Sequence, residues 1–196
     1  MLTATYTLVA LSVEQTNVRL GLQSLQDLID THFMQQSTLS AGQVSLALDA
    51  VNRLCDCPHW RKLDMFLIPA IRSASRNADE LLHNLEELGR AAAAAVGDVA
   101  AALGTSAIDS SAKVSQFCSA IDVFASATMK RLELEDKQLF PLARSVISGE
   151  AWFSIANQML ALDAYTQDRK GGRPPPGRDE AFVPLPRCST VAHLVF

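Results

Sequence analysis

Aromatic side chains make up only 6% of this chain, and Ala and Leu supply most of the apolar remainder. That mix favours helix over sheet. Excess positive charge is missing too: a formal charge of -4 and a pI of about 5.5 argue against a nucleic-acid footprint. Cysteine is sparse and irregular. Cys55, Cys57, Cys118 and Cys188 fit neither a disulfide framework nor a zinc site, and Cys55-Asp56-Cys57 is one residue short of the two-residue redox spacing. Such a pattern belongs to reduced thiols in a cytosolic protein. No basic region precedes the short apolar run between Met1 and Glu14, which argues against a signal peptide. The Ala-rich stretch 91–103, broken by Gly97 and Asp98, is too short to span a bilayer. A soluble, cytoplasmic protein without a nucleic-acid or membrane partner is therefore expected. A Ser/His/Asp constellation, a glycine-rich phosphate loop and a nucleophile elbow are all lacking, which points away from an enzyme.

The 196 residues, 48% of them hydrophobic, suffice for one domain with a buried core plus a tail. Leu8, Leu11, Gln15, Val18, Leu22, Leu25 and Ile29 recur at steps of three and four, which predicts a helix over about 4–33 with Gln15 as the polar member of its seam. Ser40 with Gln43 reads as a capping box for a second helix that turns Val44, Leu48, Val51 and Cys55 inward. Pro58 interrupts this helix. Asp56 is placed to cap a restart that ends near Pro69. A third helix over about 76–103 carries Ala78, Leu81, Leu85, Leu88, Ala92, Val96, Val99 and Leu103, with Gly104 as its stop. From Asp109 or Ser110 a fourth helix continues the period without a break through Phe117, Phe124, Thr128, Arg131, Glu135, Gln138 and Leu142. A short fifth helix, capped by Ser148, carries Trp152, Ile155 and Met159 to about Tyr165. Residues 166–196 then form a Gly/Pro-rich linker with polyproline character and an apolar end, Phe182–Phe196, suited to docking on the bundle, a second copy or a protein partner. The predicted fold class is all-α: an up-down-up-down four-helix bundle over 1–165 with a non-globular tail.

One segment occurs twice. His59-Trp60-Arg61-Lys62-Leu63-Asp64, followed by Leu67-Ile68-Pro69, matches Arg131-Leu132-Glu133-Leu134-Glu135-Asp136, followed by Leu139-Phe140-Pro141. Arg72-Ser73 and Arg144-Ser145 close the two copies. A repeat of this kind marks a supersecondary unit that buries its apolar face against another. The first and fifth positions share a helix face, yet neither copy holds both a His and a carboxylate there. Gln15, His59, Arg131 and Glu135 are expected to project into the interior. Arg131, always cationic, should satisfy Glu135 and oppose a metal dication. The other histidines carry no role: His83 falls on the outward face, His32 at the far end of the first helix and His193 in the tail. Cys118 reads as core.

These stretches resemble the hemerythrin-like (HHE cation-binding) family, over about residues 5–165. Glu14-Gln15 stands where the family has Glu-His, His59 to Asp64 resembles its His-His-Pro-Lys-Glu-Asp, and Asp79-Glu80 precedes a Leu-rich run as in the family. Arg131 to Pro141, with Ala143-Arg144 and Ala151-Trp152, is similar to its His-Met-x-x-Glu-Glu, Leu-Phe-Pro, Leu-Ala and Asp-Trp pattern. The resemblance implies a bundle built around a di-iron site that binds dioxygen. It also implies that Gln15, His59, Leu63, Arg131, Glu135 and Asp136 line the former metal position. His59, Glu135 and Asp136 keep ligand character, Leu63 replaces a bridging carboxylate, and Gln15 and Arg131 replace imidazoles. The third-helix ligand position falls near Asn77 or Ala78. The expected protein is a non-enzymatic bundle without metal or cofactor, serving as a structural, regulatory or partner-binding module. The alternatives are an iron-dependent dioxygen-binding or sensing protein using His59, Glu135 and Asp136, and a small-molecule binder using the vacated interior.

Overall fold

In the computed structural model, which describes residues 2–103 and 108–170, helix α1 spans Leu2–Leu28 and continues through a π turn, Ile29–Phe33. Its buried residues, from Ala4 and Leu11 to Leu22 and Leu25, follow the step of three and four that an amphipathic helix requires. Helix α2 (Ala41–Cys55) starts at Ser40, where the capping box forms: the Ser40 hydroxyl accepts from the Gln43 amide while the Gln43 side chain accepts from the Ser40 amide. Helices α3 (Pro58–Lys62) and α4 (Ile68–Ala74) are joined by a π turn, Leu63–Leu67. A 3-10 turn, Arg76–Ala78, leads into α5 (Asp79–Leu103). Helices α6 (Ser111–Leu134) and α7 (Phe140–Val146) flank a third π turn, Glu135–Leu139, and α8 runs Gly149–Lys170. No strand forms among the described residues; a single bridge pairs Leu39 with Ile108, and no helix is long and apolar enough to cross a membrane.

The all-helical architecture agrees with the sequence, and four details differ. Asp56 terminates α2 and the restart is capped from Cys57 without a side-chain bond. Pro58 occupies the first helical position, where its missing N–H costs nothing. The helix does not end near Pro69. The wider turn before it, in which the Ile68 amide bonds to the Leu63 carbonyl, accommodates a residue without an N–H. The final helix is not short. Its 22 residues run to Lys170, because no breaker occurs between Thr166 and Gly171. The seam of α6 is not unbroken either. Leu139 is fully buried and Gln138 exposed, since the π turn admits one extra residue and shifts every later position round the axis. Gly104 and residues 171–196, including the apolar end 182–196, lie outside the described residues.

Both copies of the repeat take the same form. Each has a π turn opening at its fifth position, Leu63 or Glu135, and closing at Leu67 or Leu139. Burial then advances in steps of four: His59, Leu63, Leu67 and Ile71 in one copy; Glu135, Leu139 and Ala143 in the other. Their last segments, α4 and α7, touch. The interior divides into two apolar clusters. One, around Val18, Leu25, Val51, Val99, Phe117 and Leu132, gathers α1, α2, α5 and α6; the other, around Leu11, Leu63, Leu82, Leu139 and Trp152, gathers α1, α4, α5, α7 and α8.

The shifted register has a direct test. Leu139→Ala should cost about 2–5 kcal/mol, the usual range for a buried Leu. Gln138→Ala, at the position that an unshifted helix would bury, should change stability by less than about 0.5 kcal/mol. Urea unfolding followed by circular dichroism reads both, and equal costs would contradict the π-turn register.

Candidate functional site

Between the two apolar clusters lies a polar layer. Gln15 sits on α1 between Leu11 and Val18, Glu135 follows Leu132 where α6 widens, and His59 enters from α3 one turn before Leu63. The Glu135 carboxylate is completely buried, as is His59, and Gln15 is 2% exposed. Glu135 Oε2 accepts from Gln15 Nε2 at 2.8 Å and lies 2.8 Å from His59 Nε2. An ionised carboxylate only accepts, and against one the imidazole is the donor, from Nε2. The second oxygen, Oε1, accepts from Arg131 Nε at 3.2 Å. Three helices thus supply donors to one carboxylate, which is what an ionised group without water requires.

Arg131 does more than neutralise Glu135. Its Nη2 donates to Asp64 Oδ1 at 3.1 Å, and its guanidinium lies 4.8 Å from the centre of the Trp60 ring. That ring is held by a 2.8 Å bond from its N–H to the Leu54 carbonyl and meets His59 edge-on at 4.9 Å. On α5, a Cβ placed on Gly89 would stand 2.8 Å from Arg131 Nη1, so the absence of a side chain there makes room for the guanidinium.

A second charged group adjoins the first. Lys62, 4% exposed, donates to Glu14 and, at 2.8 Å, to Asp163 on α8. Burial pulls the Lys62 ammonium down, but its bonds to Asp163 and Glu14 outweigh this and hold its pKa above the ordinary lysine value. The other oxygen of Glu14 faces His59 Nδ1 at 3.8 Å, beyond hydrogen-bond reach.

Of the six residues singled out in the sequence, Gln15, His59, Arg131 and Glu135 come together, and Leu63, one turn on from His59, is fully buried in the second apolar cluster. Asp136 does not join them; its side chain is half exposed and takes a 3.1 Å bond from Arg19. At the start of the third long helix Ala78 is buried and Asn77 exposed. His83 and His32 are exposed, and Cys118 is buried in the core. Lys62, Asp163, Asp64, Trp60 and Gly89 were not singled out. A lysine three residues after a buried histidine was the available signal, since both then share a face.

In comparisons with protein-family models, curated proteins and solved structures, no match is found.

The donors present do not fit a di-iron centre. Such a centre draws on several imidazoles and at least two free carboxylates. Here one imidazole contributes, both Glu135 oxygens are bonded, and Arg131 and Lys62 place two cations against the layer. Among the described residues, no group of three or more His, Cys, Asp or Glu side chains is arranged to hold a metal ion. Two surface grooves are lined by none of Gln15, His59, Arg131 and Glu135. One, of about 460 Å³, runs between α1 and α2 past Gly21, Leu46 and Leu54; the other, of about 500 Å³, is formed by Met65, Phe66, Gln158 and Leu162.

Gly89 provides a test of the guanidinium's position. Gly→Ala inside a helix ordinarily gains up to about 1 kcal/mol. Gly89→Ala should instead destabilise, and the loss should vanish in an Arg131→Ala background, giving a coupling of at least about 0.5 kcal/mol in a denaturation double-mutant cycle. Additive effects would place Arg131 elsewhere.

Proposed function

We propose that this chain is a hemerythrin-like up-down-up-down bundle in which side chains have taken over the place of the di-iron centre. In this reading it is non-enzymatic and cytoplasmic, and serves as a structural, regulatory or partner-binding module. The observation that carries the reading is that Gln15, His59 and Arg131 together engage both oxygens of the Glu135 carboxylate. Each of these residues occupies a position at which the family resemblance implies a metal-site residue. The replacements are mutually consistent: an imidazole exchanged for a guanidinium supplies a fixed cation in place of a metal charge, and an imidazole exchanged for an amide supplies a donor. Leu63, where a bridging carboxylate would stand, removes an anion that the cluster could no longer compensate.

Iron content decides between this reading and an iron-dependent dioxygen-binding protein. Protein produced in iron-rich medium should contain far less than one iron per chain by elemental analysis and show no oxo-bridge absorption. Two irons per chain with that absorption would return His59, Glu135 and Asp136 to a ligand role and overturn the proposal.

A further inference from the structure

Helix α1 is apolar on two opposite faces. The inward face carries Ala4, Leu11 and Val18. On the outward face Leu2, Tyr6, Val9, Val13 and Leu20 are 83%, 79%, 57%, 57% and 58% exposed. With Thr16 these residues advance by 4, 3, 4, 3 and 4, the a/d pattern of a coiled-coil seam carried through nearly three heptads. In that register Ala4, Leu11 and Val18 are the f positions, directly opposite the seam, so the core side and the seam do not compete. An exposed apolar stripe this regular marks an interaction site rather than scattered surface residues.

We propose that the outward face of α1 pairs two copies of this chain through a two-fold helical seam. A two-fold interface must be self-complementary, and an a/d stripe is satisfied by an identical stripe packed knobs-into-holes. Charge does not oppose the same occupant. Between Leu2 and Leu20 the only charged residues are Glu14, which receives Lys62, and Arg19, which is paired with Asp136. The positions flanking the seam include Ala10, Ser12 and Asn17, so two copies bring no free like charges together. The 182–196 sequence, with Pro184 and Pro186, lacks the a/d spacing that would complement the stripe. The stripe is about 27 Å long at the helical rise per residue. Five side chains offering about 100 Å² each would remove roughly 1,000 Å² in total, the lower limit for a specific interface. Phe153 and Leu160 on α8, which packs on α1, are 62% and 66% exposed and offer further apolar surface on the adjoining helix.

Sedimentation equilibrium of the full chain over about a hundredfold range of concentration tests the proposal. The wild type should be a dimer. Val9→Glu/Val13→Glu should weaken self-association at least about tenfold while keeping its helical circular dichroism. If that variant does not fold, Tyr6→Lys, near the end of the helix, should give the same weakening. A wild type that stays monomeric overturns the proposal, as does a dimer that survives these substitutions. A monomer that dimerises only after removal of residues 171–196 would also overturn it, by making the chain's own end the occupant.

Discussion

The buried carboxylate of Glu135 is the constraint on which the rest of this interior depends. An ionised carboxylate removed from water is tolerated only when fixed donors replace its hydration. Those donors come from Gln15 on α1, His59 on α3 and Arg131 one turn earlier on α6. Each helix is thereby held in register by a directional bond as well as by apolar contact. Leu11 and Val18 lie on either side of the layer on α1, and Leu132 and Leu139 do so on the α6 side, so the layer joins the two apolar clusters. The guanidinium extends the arrangement outward to Asp64, Trp60 and the side-chain-free position at Gly89.

The π turns explain how polar and apolar layers can alternate on one face. The two within the repeat open at its fifth position, and burial runs on from there in steps of four. Glu135 and Leu139 therefore both point inward, as do Leu63 and Leu67. In each copy the proline follows the π turn, where its missing donor disrupts no regular i to i+4 ladder. The duplicated sequence thus encodes a duplicated backbone irregularity, and such irregularities are frequent at functional positions in helices.

Much of this was legible in the sequence because helix period and caps act locally. The seam of α1, the Ser40 capping box and the meeting of Gln15, His59, Arg131 and Glu135 all follow from spacing and charge. The register change at Gln138 was not legible, because a π turn leaves no signal in a 3.6-residue period. Asp136 was misplaced for a related reason: adjacent residues diverge on a helix, and burying Glu135 turns Asp136 toward Arg19. The pairing of Lys62 with Glu14 and Asp163 joins positions 101 residues apart at its longer reach, and only tertiary packing brings these together. The role of Gly89 was hidden likewise, since an isolated glycine in a helix does not reveal which side chain needs its space.

Arg131 and Glu135 neutralise each other inside the bundle. A thermodynamic cycle of Arg131→Leu, Glu135→Leu and the double variant in chemical denaturation measures that coupling. Removing one partner of a buried pair typically costs about 3–5 kcal/mol, whereas replacing both by apolar residues is far milder. The double variant should be more stable than Arg131→Leu alone, with a coupling above about 1 kcal/mol. Additive effects within about 0.5 kcal/mol would show that the two residues act independently and would contradict their mutual neutralisation.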